Sequence, residues 1–275
     1  MGKFDGVLLV SDFDETLYAR SRRVPERNVQ AIRYFQSEGG RFTVATGRAH
    51  RTFAAYFHLA PINAPVVLSN GSTLYDFETD TLLEQTVLPV TAPADLGWLL
   101  EQFPRLAMEA YHGEEIYAWN PNDITDAHMS KVGTGYDICP PRDIPVPWTK
   151  AILQHEDYQL LQRAQKRFLE RFGGEYEAIF SNRTYLEITA KGSTKGGMVW
   201  RIVEMLGLRA ENVYCVGDNQ NDITMLERSA VPFAPGDCAE EVKDWGARLL
   251  CSCEEGVIAD VIAQLDKRYE KTLHP

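Results

Sequence analysis

The strongest constraint on this chain is a short apolar run that ends in paired carboxylates. Val7-Leu8-Leu9-Val10 has no polar residue, so as a strand it has no face to give to water and belongs mid-sheet, covered on both sides. It passes directly into Ser11-Asp12-Phe13-Asp14-Glu15-Thr16-Leu17. In extended backbone, residues two apart project to one side, which aims Asp12 and Asp14 together and Phe13 away. In an open parallel sheet, ligands bind at the carboxyl ends of the strands, where these two acids stand.

The residues that follow keep to the α/β alternation this implies. Pro25 to Glu38 spaces Val29, Ile32 and Phe35 three apart, starts on a proline and stops at Gly39-Gly40, which predicts a helix. A second strand is expected over 42–45, a second helix over 50–57 and a third strand over 66–68. After Gly71 the character changes: segments 73–75 and 82–87 flank a hairpin turn, and the proline-rich stretch 89–93 reads as a linker. Beyond it, strands outnumber helices. A helix is expected near 95–102, strands near 106–111 and 115–119, a long turn-rich stretch to Trp148, another strand, a helix near 158–172, and strands near 177–180 and 185–189. Helix and strand then alternate again, with a helix over 196–206, strands at 213–216, 231–234 and 249–251, a helix over 222–228 and a last helix over 255–269. One α/β domain formed by residues 1–82 and 191–275 is thus expected to be interrupted by an α+β domain over 83–190.

Charge narrows the partners. With 39 acidic and 28 basic residues the formal net charge is −11, which repels nucleic acid and anionic membranes while still admitting a small phosphorylated ligand where cations are concentrated. The N-terminal apolar run is far short of the ~20 residues of a membrane span, so a cytoplasmic location is expected. Cys139, Cys215, Cys238, Cys251 and Cys253 are scattered without metal spacing and read as reduced, mostly buried residues. None of His50, His58, His112, His128, His155 and His274 stands at metal spacing either, so surface or packing roles are expected for them.

The strand ends carry the chemistry. Strand two runs into Thr46-Gly47-Arg48, strand three into Ser69-Asn70-Gly71, and the strand after the insert into Gly217-Asp218-Asn219-Gln220-Asn221-Asp222. Asp12, Asp14, Asp218 and Asp222 would converge, and their repulsion calls for a cation. All-oxygen ligation without His or Cys suits Mg²⁺. Lys195, at an expected helix start, adds a second positive charge beside backbone amides that can receive an anion. Each signal has a plainer meaning by itself. Asp12-x-Asp14 can be a solvated turn, Thr46, Asn221 and Asp222 helix caps, and Lys195 an exposed helix residue. Asn70-Gly71 marks a turn with positive φ and leaves ligand contact open. Arg48 can reach substrate or pair with a surface acid. Tyr111, Trp119 and Trp148 can line a pocket, although core packing suits them better. A P-loop and a Gly-x-Gly-x-x-Gly turn are both missing, which removes the main support for nucleotide-dependent kinases and NAD enzymes.

Taken in order, Asp12 to Leu17, Thr46 to Arg48, Asn70-Gly71, Lys195-Gly196 and Gly217 to Asp222 form a set that resembles the haloacid dehalogenase (HAD) superfamily. More narrowly the chain is similar to Cof-type sugar-phosphate phosphatases, with a class IIB cap inserted between the second and third motifs. The resemblance implies a Rossmann-like core with a parallel sheet, interrupted by an α+β cap. It implies a Mg²⁺-dependent phosphatase acting on a small phosphorylated metabolite, such as a sugar phosphate. Asp12 would be the nucleophile that forms an aspartyl-phosphate, and Asp14 the general acid/base. Thr46, the Gly47 amide, Lys195 and Asn221 would hold the phosphoryl oxygens. The metal would be held by the Asp12 carboxylate, the Asp14 carbonyl and Asp218, with Asp222 supporting from behind. The cap would close over the site and read the leaving group. Glu15 departs from the pattern, because many Cof-type members have Gly there. Two alternatives use the same core: a phosphomutase or phosphotransferase, and a non-catalytic sensor of a phosphorylated ligand. Neither the substrate nor the oligomeric state is legible in the sequence.

Overall fold

The computed structural model describes residues 2–270. Its β1 (Leu8–Asp12) is buried along its whole length, as uniform apolarity demands, and pairs in parallel with β2 (Arg41–Ala45) and β12 (Val213–Val216). Outward from β2 come β3 (Val66–Leu68), then the antiparallel β4 (Thr73–Asp76) and β5 (Thr81–Gln85). On the other side β13 (Pro232–Pro235) and β14 (Arg248–Leu250) continue the parallel run. Successive residues of β1 serve opposite cores. Leu9 packs with residues of α1 (Glu26–Ser37) and α9 (Val257–Glu270), including Phe35 and Ile262. Leu8 and Val10 pack with residues of α6 (Lys195–Met205), α7 (Ile223–Leu226) and α8 (Glu240–Trp245), including Ile202, Met225 and Val242. The short α2 (His50–Ala54) follows β2 and buries Phe53. The expected parallel α/β core is therefore present. The domain division expected between 82 and 83 falls inside β5, which stays in the core sheet to Gln85.

The intervening segment builds a second sheet, in the order β10-β11-β9-β6-β7-β8. Its strands are β6 (Ala107–His112), β7 (Glu115–Trp119), β8 (Asp137–Ile138), β9 (Lys150–Gln154), β10 (Tyr176–Asn182) and β11 (Tyr185–Ala190). All pairings are antiparallel except that of β7 with β8. Alternation gives the sheet two unlike faces. Met108, Ala110, Ala151, Leu153, Leu186 and Ile188 pack under α3 (Ala92–Gln102) and α5 (Tyr158–Phe172). The residues between them, Glu109, Tyr111, Lys150, Gln154 and Glu187, belong to the opposite face and are buried all the same.

The stretch to Trp148 is not simply turn-rich, because it contains α4 (Asp123–Val132). Asn122 accepts hydrogen bonds from Ile124 and Thr125 amides, Thr125 Oγ1 accepts from the Asn122 amide, and Gly133 at φ +71 ends the helix. The Asn, Asp and Thr that make this capping box are also turn formers, which is why the segment reads as loop.

The core's contact between α6 and α7 sets the site. At Gly196 a Cβ would come within 1.8 Å of the Thr224 carbonyl oxygen, so the two helices meet backbone to backbone. Gly196→Ala is expected to push α6 off α7 at a cost of about 1–3 kcal/mol, measured by urea unfolding.

Candidate active site

Three elements deliver the acidic cluster. Asp12 ends β1, Asp218 and Asp222 follow β12, and Lys195 opens α6, where Thr194 Oγ1 accepts from the Gly197 amide. Lys195 is 2 % exposed, and its Nζ donates to Asp12 Oδ1 at 2.5 Å and Asp222 Oδ1 at 2.6 Å. Asp222 Oδ2 accepts from the Asp218 and Asn219 amides at 2.8 and 2.9 Å. Gly217 makes this fold-back feasible, since a Cβ there would lie 2.4 Å from that of Asp222. Thr16 Oγ1 donates to Asp218 Oδ1 at 2.8 Å. The result is a carboxylate trio, Asp12, Asp218 and Asp222, with one oxygen of each within 4.8 Å of the others.

Three buried carboxylates against one ammonium leave excess negative charge, and burial makes that costly. It pushes the Asp12 carboxyl up to about 7 against the pull of Lys195, with Asp222 and Asp14 adding to the rise. Asp218 is raised well above the ordinary carboxyl value by burial and then by Asp12 and Asp222. Burial would also lower Lys195, yet Asp12 and Asp222 hold it above its usual value, so it stays charged. A hard divalent cation fits this donor set of carboxylate oxygens without sulfur or imidazole. Both oxygens of Asp222 are already engaged, which suits it to supporting the site from behind rather than ligating.

Asp14 stands apart from the trio. Arg48 Nε and Nη2 donate to its two oxygens at 2.8 and 2.7 Å, a bidentate pair, and the guanidinium lies 4.3 Å from the centre of the Tyr56 ring. Burial alone would raise the Asp14 carboxyl, but Arg48 overrides it and holds the group below its ordinary value. Arg48 thus takes an acid, but it is Asp14 of the site rather than the surface acid expected. The expected phosphoryl holders also gather here. Thr46 is buried with its Oγ1 accepting from the Arg48 amide at 3.2 Å, Gly47 follows it, and Asn221 Nδ2 donates to Asn70 Oδ1 at 3.0 Å.

The second sheet closes this assembly with a cavity of about 150 Å³, bordered by Asp12, Asp14 and Lys195 on one side and Tyr111, Lys150 and Tyr185 on the other. Lys150 Nζ donates to Glu187 Oε2 and to the Gly47 carbonyl, both at 3.0 Å, and sits 4.6 Å from the Tyr111 ring centre. Behind it Glu109 accepts from Tyr111 Oη and Gln154 Nε2 and pairs with His128 Nδ1 at 3.0 Å. Sequence reasoning missed Glu109, Lys150, Glu187 and His128. The available signal was charge at alternate positions of otherwise apolar strands. His128 packs against the Tyr185 ring and also borders the cavity, Tyr111 lines it, Trp148 is core and Trp119 is exposed. His274 lies outside the described residues. All five cysteines are free. No helix among the described residues is long and apolar enough to cross a membrane.

Comparison with known proteins agrees with this geometry. A family model described as haloacid dehalogenase-like hydrolase matches residues 9–262. The chain is 25 % identical to pyridoxal phosphate phosphatase YbhA of Escherichia coli (strain K12), over 86 % of this chain and 90 % of that protein. It is also 25 % identical to 5-amino-6-(5-phospho-D-ribitylamino)uracil phosphatase YcsE of Bacillus subtilis (strain 168), over 86 % of each. Its fold matches that of the HAD subclass IIB sugar phosphatase BT4131 with a TM-score of 0.81 at 18 % identity, covering 94 % of this chain and 99 % of that one.

The trapped charge has a pH signature. Without a divalent ion, the raised Asp12 and Asp218 carboxyls contribute stability that is fully present below their unfolded pKa of about 4 and is lost as pH rises through the folded values, about 7 for Asp12. The lowered Asp14 acts oppositely, contributing above about pH 4 and losing its effect as pH falls further. Unfolding temperature in chelator is therefore expected to drop between pH 5 and 8, and Mg²⁺ to reverse the drop, as read by calorimetry.

Proposed function

Because this chain belongs to the haloacid dehalogenase-like hydrolases of the Cof type, we propose that it is a Mg²⁺-dependent phosphatase of a small phosphorylated metabolite, working through an aspartyl-phosphate on Asp12. One observation carries this: Asp12 is held by Lys195 at Oδ1 within a buried acidic trio that opens on the cavity.

Asp12 attacks phosphorus in line, and the bond from phosphorus to the substrate oxygen breaks as the acyl-phosphate bond forms. Asp14 gives its proton to the departing alkoxide. In a second displacement water attacks the same phosphorus, Asp14 takes a proton from it, and inorganic phosphate leaves with Asp12 restored. Asp12, the Asp14 carbonyl and Asp218 would hold a Mg²⁺, which when bound would supply charge neutralisation at the phosphoryl oxygens. Thr46, the Gly47 amide, Lys195 and Asn221 orient those oxygens for in-line transfer. Asp14 is charged while Arg48 grips it, which suits the hydrolytic half. The negative charge of an arriving phosphoryl group raises it toward the protonated form that the first half needs.

Relatives named for pyridoxal phosphate and for a phosphoribityl compound support a compact phosphomonoester as substrate. The cavity of about 150 Å³ is consistent with a small leaving group, and its far wall, Lys150, Glu187 and Tyr111, is placed to recognise it.

Asp12→Asn is expected to lower phosphate release from p-nitrophenyl phosphate by more than about 10³-fold, and activity near that of the wild type would rule out this nucleophile. Arg48→Met leaves burial to dominate at Asp14. It should move the limb of the pH–rate profile that Asp14 sets to higher pH, and a limb that stays in place or moves to lower pH would rule out this role for Arg48.

A further inference from the structure

Between β3 and β4 the chain turns through Ser69, Asn70 and Gly71 at φ +50°, +54° and +100°. Glycine adopts such values freely and asparagine tolerates them, but three in succession persist only where the surroundings impose them, as at ligand clamps. Here they are imposed from two sides. The Ser69 amide donates to the Arg48 carbonyl at 2.9 Å, and the Asn70 amide donates to the Thr46 carbonyl at 3.0 Å. On the other side Gly71 presses on the residue before Lys195, where a Cβ would stand 2.2 Å from the Thr194 carbonyl oxygen.

The turn delivers one side chain to the middle of the phosphoryl-binding set. Asn70 is 5 % exposed, and its Oδ1 accepts from Asn221 Nδ2 at 3.0 Å. Its Nδ2 is buried without a hydrogen-bond partner. That nitrogen lies against Gly47, where a Cβ would be 3.1 Å from it. Buried donors are almost always satisfied, so a lone one beside an anion loop points to a ligand that brings its own acceptor.

We infer that Asn70 belongs to the phosphoryl-binding set: Oδ1 holds the Asn221 amide in register, and Nδ2 donates to a phosphoryl oxygen seated at Gly47. The inference rests on the phosphatase reading of this site. The ligand chemistry is that of a tetrahedral oxyanion, because the turn touches the elements that carry Thr46, Gly47, Lys195 and Asn221. Donors fixed in advance act most strongly as charge builds on the transferring group.

Orthovanadate in the presence of Mg²⁺ is the probe, with p-nitrophenyl phosphate turnover and thermal unfolding measured in parallel. Asn70→Asp keeps an oxygen for Asn221 but replaces the donor by an acceptor. Asn70→Gly removes the side chain while accepting the positive φ, so it separates binding from folding. Both variants are expected to weaken vanadate inhibition and lower kcat/KM by about tenfold or more, with unfolding of the glycine variant within a few degrees of the wild type. Vanadate inhibition equal to that of the wild type in both variants overturns the inference. So does a loss of binding that merely follows a loss of stability. If the wild type itself releases no phosphate and Asp12→Asn changes nothing, the phosphatase reading falls instead.

Discussion

A single buried ammonium ties the two halves of the core together at the site. Lys195 lies 183 residues along the chain from Asp12, yet its Nζ joins that carboxylate to Asp222 with almost no access to solvent. Such a charge triad is weak support for stability, because desolvating three ions offsets much of their attraction. Its value is geometric. Once Lys195 is buried, β1, the β12 loop and α6 have to be placed so that both carboxylates reach it. The close approach at Gly196 and the fold-back over Gly217 follow from that placement. The remaining negative charge is what a divalent cation would offset.

The second sheet follows a different logic. One face is an ordinary apolar surface under two helices, while the other buries Glu109, Lys150, Gln154 and Glu187 in a network that pairs each of them. Buried polar networks reward only complete satisfaction, so they fix side-chain positions closely. A wall of that kind presents donors and acceptors at set points, which is the property a selective cavity requires.

The core and most of its acidic site were legible because each landmark lies within a few residues of a recognisable apolar strand. Asp12, Thr46, Asn70 and Asp218 sit where strands stop, and strand ends in a parallel sheet share one edge. The cap side was not legible, because Glu109, Lys150 and Glu187 meet only through the register of β6, β9 and β11. Nothing local in Ala107-Met108-Glu109 or Lys150-Ala151-Ile152 states which strand will lie alongside. Helix α4 was hidden for the opposite reason, since its start is written in residues that make caps and turns alike. Arg48 had two plausible partners of equal merit, and only the approach of β1 to β2 selects Asp14.

The bond from Lys150 to the Gly47 carbonyl joins a strand of the cap to the peptide next to the amide expected to grip phosphate. Swinging the cap outward must break it, and swinging back must restore it. A phosphoryl group gripped by that amide would share one peptide neighbourhood with the cap strand, so opening the lid would disturb the same short stretch of backbone that receives it.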